Sequence, residues 1–255
     1  MVMTERVAAK FKSLVRGGLA ASGYEVRPLI PRDIPVENRD LFRELRPYTL
    51  TSPERFSATC DAVRYVARAS VPGAVVECGV WAGGGMMAAA RILMAQGDVS
   101  RDLYLFDTFE GMSEPSELDL DSSGRDAGNY LDGVQPAADN AYCYVALEQV
   151  QRNMQLVGYP SARVHFIKGP VEETVPASAP PAIAVLRLDT DWYESTKHEL
   201  DHLVPRMSPG GVLLIDDYGH WQGARKAVDE WLNERPTPLL VARTDNTGRL
   251  ILLPH

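Results

Sequence analysis

From Ala74 onward the chain alternates short apolar runs with longer amphipathic stretches. Runs at 74–80, 103–107, 164–168, 183–189 and 211–216 have the length and β-branched content of strands, and stretches at 84–96, 145–157, 194–206 and 221–233 repeat their apolar residues at helical spacing. Such alternation predicts an α/β domain on a parallel sheet. The tail differs: 238–244 and 249–253 flank Asn246-Thr247-Gly248, a hairpin turn signal, so an antiparallel pair is expected to end the sheet and bring it to seven strands. Upstream, Val7, Phe11, Leu14 and Val15 mark a helix over 4–16. Pro28, Pro31 and Pro35 mark a connector, and Thr51-Ser52-Pro53 opens a helix over 54–69. Residues 112–142 follow neither rhythm. They are rich in Asp, Ser, Gly and Asn, include Tyr130 and Tyr142, and follow the second strand on the side where ligands bind, which predicts a lid.

Two of the apolar runs stop abruptly in carboxylates. Leu186-Arg187-Leu188 leads into Asp189-Thr190-Asp191-Trp192-Tyr193, and Leu213-Leu214-Ile215 leads into Asp216-Asp217-Tyr218. Ligands of open parallel sheets collect at the carboxyl ends of strands, so these acids are expected to converge. Converging carboxylates repel one another unless a cation neutralises them. Asp189, Asp216 and Asp217 are the candidate ligands of a hard ion such as Mg²⁺, and the absence of His or Cys beside them speaks against zinc. Asp191, two residues past Asp189, is placed to accept a hydroxyl proton, with His220 as the alternative base. Asp201 and Asp229 fall inside predicted helices and read as solvated. His198 and His202, with Glu199 between them, read as a partly exposed helix face.

At the first strand's end, Glu77-Cys78-Gly79-Val80-Trp81-Ala82-Gly83-Gly84-Gly85 forms a glycine-rich turn into a helix, which lets a ligand approach the backbone. Trp81 occupies the middle glycine of a G-x-G-x-x-G pattern, which argues against a dinucleotide, and Glu77 suits a cationic, methionine-like ligand better than a pyrophosphate. Asp107 ends the second strand where a carboxylate commonly holds a ribose diol. Lys168 and Gly169 end the third, where backbone could flank adenine. The set points to S-adenosylmethionine (SAM).

Composition narrows the classes further. A net charge of −8 without a basic run disfavours nucleic-acid and membrane partners, and no window is apolar enough to span a bilayer. Three widely spaced cysteines and an N-terminus with scattered charges predict free thiols and a cytoplasmic protein.

The segments VPGAVVECGVWAGGG, LYLFDTFEGM, AVLRLDTDWYEST and MSPGGVLLIDDYG, spread over residues 71–233, resemble the macrocin O-methyltransferase (TylF/MycF/NovP-like) family. Its members are SAM- and Mg²⁺-dependent enzymes that methylate sugar hydroxyls of antibiotics. The resemblance implies a Rossmann-like class I methyltransferase fold, α/β, over 71–255, with an N-terminal helical segment, 1–70, contributing to the cover and a lid insertion at 112–142. It implies that Asp189, Asp216 and Asp217 bind Mg²⁺ and that Asp191 is the general base. Asp107, with Thr108 and Phe109 of the FDTFEG motif, would bind the ribose, and Glu77, Gly79, Trp81, Gly83 and Gly84 would line the methionine end. Thr51 lies in the segment Tyr48–Ser52, which would close over the cofactor. Ala82, where members carry Arg, and Thr190-Asp191-Trp192-Tyr193 depart from the family pattern. The expected partner is a small glycosylated acceptor, and the expected assembly a homodimer or higher homo-oligomer. The alternatives are a catechol-type O-methyltransferase, disfavoured by the polar lid, and a non-catalytic nucleotide-binding protein, disfavoured by the retained carboxylates.

Overall fold

A computed structural model describes residue 22, residues 28–131 and residues 143–255. The expected helix over 4–16 and the end of the expected lid, with Tyr142, lie outside the described residues. The sheet consists of β1 (Ala74–Cys78), β2 (Leu103–Asp107), β3 (Val164–Lys168), β4 (Ile183–Leu188), β5 (Met207–Ile215), β6 (Ala242–Arg243) and β7 (Arg249–Leu252). Its order is β3-β2-β1-β4-β5-β7-β6, parallel except for β7, which runs antiparallel to both β5 and β6. The terminal hairpin is shorter than its sequence suggests. Pro236 and Pro238 lack the N–H groups a ladder needs, so pairing starts only at Ala242.

Among the described residues, six helices of 9 residues or more cover the sheet: α1 (Val36–Leu45), α2 (Pro53–Arg68), α3 (Gly84–Ala95), α4 (Leu147–Gln155), α5 (Tyr193–His202) and α6 (Gln222–Asn233). Val75, Leu105, Val185 and Leu214 face α1–α4 in one core. Val76, Phe106, Leu186 and Leu213 face α5 and α6 in the other. Burial on both faces explains why the strands read as unbroken apolar runs. Helix α1 falls in the stretch expected to be a connector. Pro35 stands at its N-cap, and Asn38, Phe42 and Leu45 form its buried stripe, so the proline starts the helix instead of preventing it. The stretch expected as one helix over 194–206 breaks after His202 into a 3₁₀ turn at Val204–Arg206, where Pro205 interrupts the α pattern.

Residues 112–131 are held by their own carboxylates. The fully buried Asp119 accepts from the Ser116 N–H and hydroxyl at 2.7 and 2.8 Å, and Asp121 organises the turn to Arg125. Acidic side chains replace the apolar periodicity that regular elements would show. Among the described residues no helix is long and apolar enough to cross a membrane.

Candidate active site

The strand order reverses between β1 and β4, so the loops leaving these strands diverge and open a crevice. The first residue beyond β1, β3, β4 and β5 continues the ladder. The Gly79 N–H donates to Phe106 O, Gly169 to Asp107 O, Asp189 to Cys78 O and Asp216 to Leu188 O, all within 2.9–3.0 Å. Gly79, Gly169, Asp189 and Asp216 therefore stand in one row at the carboxyl edge. Gly79 needs both its positive φ of 80° and its missing Cβ, which would collide with the Asp189 carbonyl. A Cβ on Gly84 would strike the Tyr48 carbonyl, so the Tyr48–Ser52 segment crosses directly above the start of α3.

These elements enclose a cleft of about 1130 Å³, mouth included. Of the expected site residues, Thr51, Glu77, Gly79, Trp81, Gly84, Asp107, Thr108, Gly169, Asp189, Asp191 and Asp216 line it. Gly83 supports the wall as N-cap of α3. Phe109 is buried in the α1–α4 core, its N–H donating to Asp107 at 2.7 Å. Lys168 points away to pair with Glu110 at 2.7 Å. Asp217 is buried beside Asp191. His220 is exposed and does not line the cleft; its ring lies edge-on to Trp221 at 4.6 Å, and partial desolvation there lowers its pKa.

Asp107 is bonded to the turn it faces. Its Oδ2 accepts from the Val80 and Trp81 N–H groups at 2.8 and 3.1 Å. Burial raises its pKa, and these bonds oppose the rise. Glu77 is buried at 1% exposure, with Oε1 accepting from Arg187 and Oε2 buried without a partner. An unpaired buried acceptor is costly, and a ligand ammonium group would satisfy it.

The acids at the ends of β4 and β5 are neutralised in part by two residues that the sequence reading passed over. Arg187 sits in register beside Glu77 on the neighbouring strand and reaches Asp189 and Asp216, with Nη2 at 2.8 and 2.9 Å. Nη2 is within ion-pair distance of both but aligned for a hydrogen bond with neither. Burial alone would lower its pKa, yet Asp189, Asp216 and Glu77 hold it charged. Arg55, near the start of α2, bonds Asp216 and pairs with Asp245 at 3.0 Å, and the Thr51 hydroxyl donates to Asp216 at 3.2 Å. A charged residue inside the fully buried β4 had to have partners, so Arg187 carried a signal. Arg55 carried none.

Asp191 occupies a strained position. The Trp192 N–H donates back to Thr190 O at 2.8 Å across Asp191, whose φ is +68°. This is the three-residue turn with positive φ at its centre, a rare and strained conformation that persists where the surroundings enforce it. The Asp191 carboxylate accepts from the Trp221 indole N–H at 2.7 Å. Burial, and then repulsion from Asp189, push its pKa up to about 7, and burial and Asp191 push that of Asp217 well up.

Six lining residues are acidic and two basic, and Asp217 adds a further acid alongside, so the cleft retains negative charge that its arginines do not cancel. Hard oxygen donors in excess suit a divalent ion as well as a cationic ligand. Among the described residues, however, no three acidic, His or Cys side chains form a ready ligand group, because the arginines stand on Asp216 and Asp189. One expectation needs correction. His198 and His202 are half-buried, as expected of their helix face, but Glu199 between them is fully buried and accepts from Thr190 Oγ1 at 3.1 and 3.2 Å.

Residues 37–250 match the macrocin O-methyltransferase (TylF) family. The chain belongs to that family. It is 35% identical over 201 residues, 79% of its length and 74% of the relative's, to the 8-demethyl-8-(2,3-dimethoxy-alpha-L-rhamnosyl)-tetracenomycin-C 4'-O-methyltransferase of Streptomyces olivaceus. Over 79% of its length and 76% of the relative's, it is 32% identical to the mycinamicin III 3''-O-methyltransferase of Micromonospora griseorubida. Its fold is similar to that of the O-methyltransferase NovP, with a TM-score of 0.71 at 29% identity over 82% of this chain and 83% of that one. As a macrocin O-methyltransferase family member the chain is an O-methyltransferase, and the cleft at its β1/β4 crevice is the candidate active site.

Proposed function

We propose that the protein transfers the methyl group of SAM to a hydroxyl of a sugar carried by a natural product. The observation that carries this reading is Asp191, a carboxylate held in a strained turn on the wall of a negatively charged cleft. Relatives named for methylating a rhamnosyl-tetracenomycin and mycinamicin III support a glycosylated acceptor. Excess negative charge favours a sulfonium ligand, the unpaired Glu77 oxygen suits the amino group of its methionine part, and Asp107, which lines the cleft, would accept from the ribose hydroxyls.

In the reaction, the acceptor oxygen attacks the sulfonium methyl carbon, the C–S bond breaks, S-adenosylhomocysteine leaves, and the hydroxyl proton passes to Asp191. Asp191 is preferred to His220 because it lines the cleft and His220 does not. Asp189, Asp216 and Asp217 would hold a divalent ion once Arg187 and Arg55 gave way on Asp189 and Asp216, and the ion would acidify the acceptor hydroxyl. Tyr48, Thr49, Leu50 and Thr51 on one side and Met112 and Ser113 on another line the cleft and would limit the entry of water.

Mass spectrometry of SAM incubations with p-nitrophenyl α-L-rhamnoside and with catechol, in Mg²⁺ or EDTA, tests the proposal. Mg²⁺-dependent methylation of the glycoside is expected. Methylation of catechol alone would move the acceptor to the phenol class, and full activity in EDTA would remove the ion from the account.

A further inference from the structure

We infer that Trp221 is a positioning residue for Asp191 and that residues 112–131 lock it in place from behind. The inference rests on the reading of Asp191 as proton acceptor. At the centre of its strained turn, Asp191 needs something to fix the direction of its carboxylate. The Trp221 indole does this with a 2.7 Å bond to Oδ1. An indole N–H donates and cannot accept, so it orients the carboxylate without competing for the proton the reaction delivers.

Trp221 itself has little freedom. It is 7% exposed and meets Trp192 at 5.0 Å, Tyr130 at 5.8 Å and His220 at 4.6 Å, all in edge-to-face contact. Its backbone bridges to Asp121, and the next residue, Gln222, donates from its N–H to Leu120 O at 2.8 Å and from its side chain to Asp121 O at 2.9 Å. The same arm also grips the other side of Asp191. The Trp192 indole donates to Ser113 O at 3.0 Å, and the Tyr193 N–H donates to the buried Asp119 at 2.8 Å. Residues 113–121 thus hold both the loop that carries Asp191 and the indole that aims it. Any movement of this arm must disturb the carboxylate, which ties the placement of the proton acceptor to the wall of the acceptor site.

The test uses Trp221→Phe, which keeps a ring and removes the donor. In spectra of ¹⁵N-tryptophan protein, four indole N–H signals exist, and the one lost in Trp221→Phe is expected to shift in Asp191→Ala. Four indole signals that all keep their wild-type positions in Asp191→Ala overturn the inference even where Trp221→Phe itself fails to fold. In methyl transfer to p-nitrophenyl α-L-rhamnoside, Trp221→Phe should lower kcat roughly tenfold to a hundredfold with KM for SAM unchanged, and should add nothing in an Asp191→Asn background. Wild-type kcat in Trp221→Phe, or a loss that multiplies with that of Asp191→Asn, overturns the inference. If Asp191→Asn itself turns over at the wild-type rate, the reading of Asp191 fails first, and the inference falls for that separate reason.

Discussion

Arg187 is tolerated in the core only because Glu77, Asp189 and Asp216 surround it, and they are tolerated together only because of Arg187. Replacing it with Met should therefore destabilise the fold by about 3–5 kcal/mol, the cost of leaving buried charges uncompensated, as urea denaturation would measure. A loss below about 1 kcal/mol would mean that the carboxylates find other partners. At the opposite edge of the cleft, Asp107→Ala should weaken SAM binding roughly tenfold to a hundredfold by calorimetry, since a charge-assisted pair of bonds is lost. For Asp191→Asn, kcat should fall about 10²–10⁴-fold while SAM affinity stays near wild type. The acids of this cleft were legible because each ends an apolar run. The counter-ions were harder to see. Arg187 is betrayed only by its place in a buried strand, and the contact of Arg55 with Asp216 spans 161 positions of sequence.

At the scale of elements, the alternation of strands and helices followed directly from apolar periodicity, and the bounds of β2 and β3 coincide with the expected runs. Helix α1 was hidden by the prolines before it, and β6 shrank because prolines removed its donors. The arm at 112–131 was invisible as structure because buried aspartates and only a small apolar cluster, Met112, Ala127 and Leu131 against Trp192 and Trp221, hold it in place. That arm meets α6 at Gly223, where a Cβ would collide with Asp119 Oδ1. Gly223→Ala should therefore unlatch the arm. Limited proteolysis should cut 112–131 faster in this variant than in the wild type, with cleavage elsewhere unchanged. Equal rates would show that the arm is held by its backbone bridges alone.

Across the whole molecule, the charge of −8 is distributed unevenly, and the cleft concentrates acids beyond what its two arginines offset. An acid whose pKa is raised by folding stabilises the fold fully below its unfolded value and loses that contribution as pH rises through the folded one. For Asp191 these values are 3.8 and about 7, and Asp189 and Asp217 shift in the same direction. In EDTA, stability should therefore decline as pH climbs from roughly 4 to 7, and Mg²⁺ should stabilise more at the upper end, where the carboxylates are ionised. Stability flat in pH and indifferent to Mg²⁺ would mean that the cluster is balanced without a metal. The central claim concerns chemistry, and transfer of label from methyl-labelled SAM to p-nitrophenyl α-L-rhamnoside and related deoxysugar glycosides tests it most directly. The account predicts label on a sugar hydroxyl in Mg²⁺, strongly diminished labelling by Asp191→Asn and none in EDTA; label on catechol and on no glycoside, or undiminished labelling by Asp191→Asn, would contradict it.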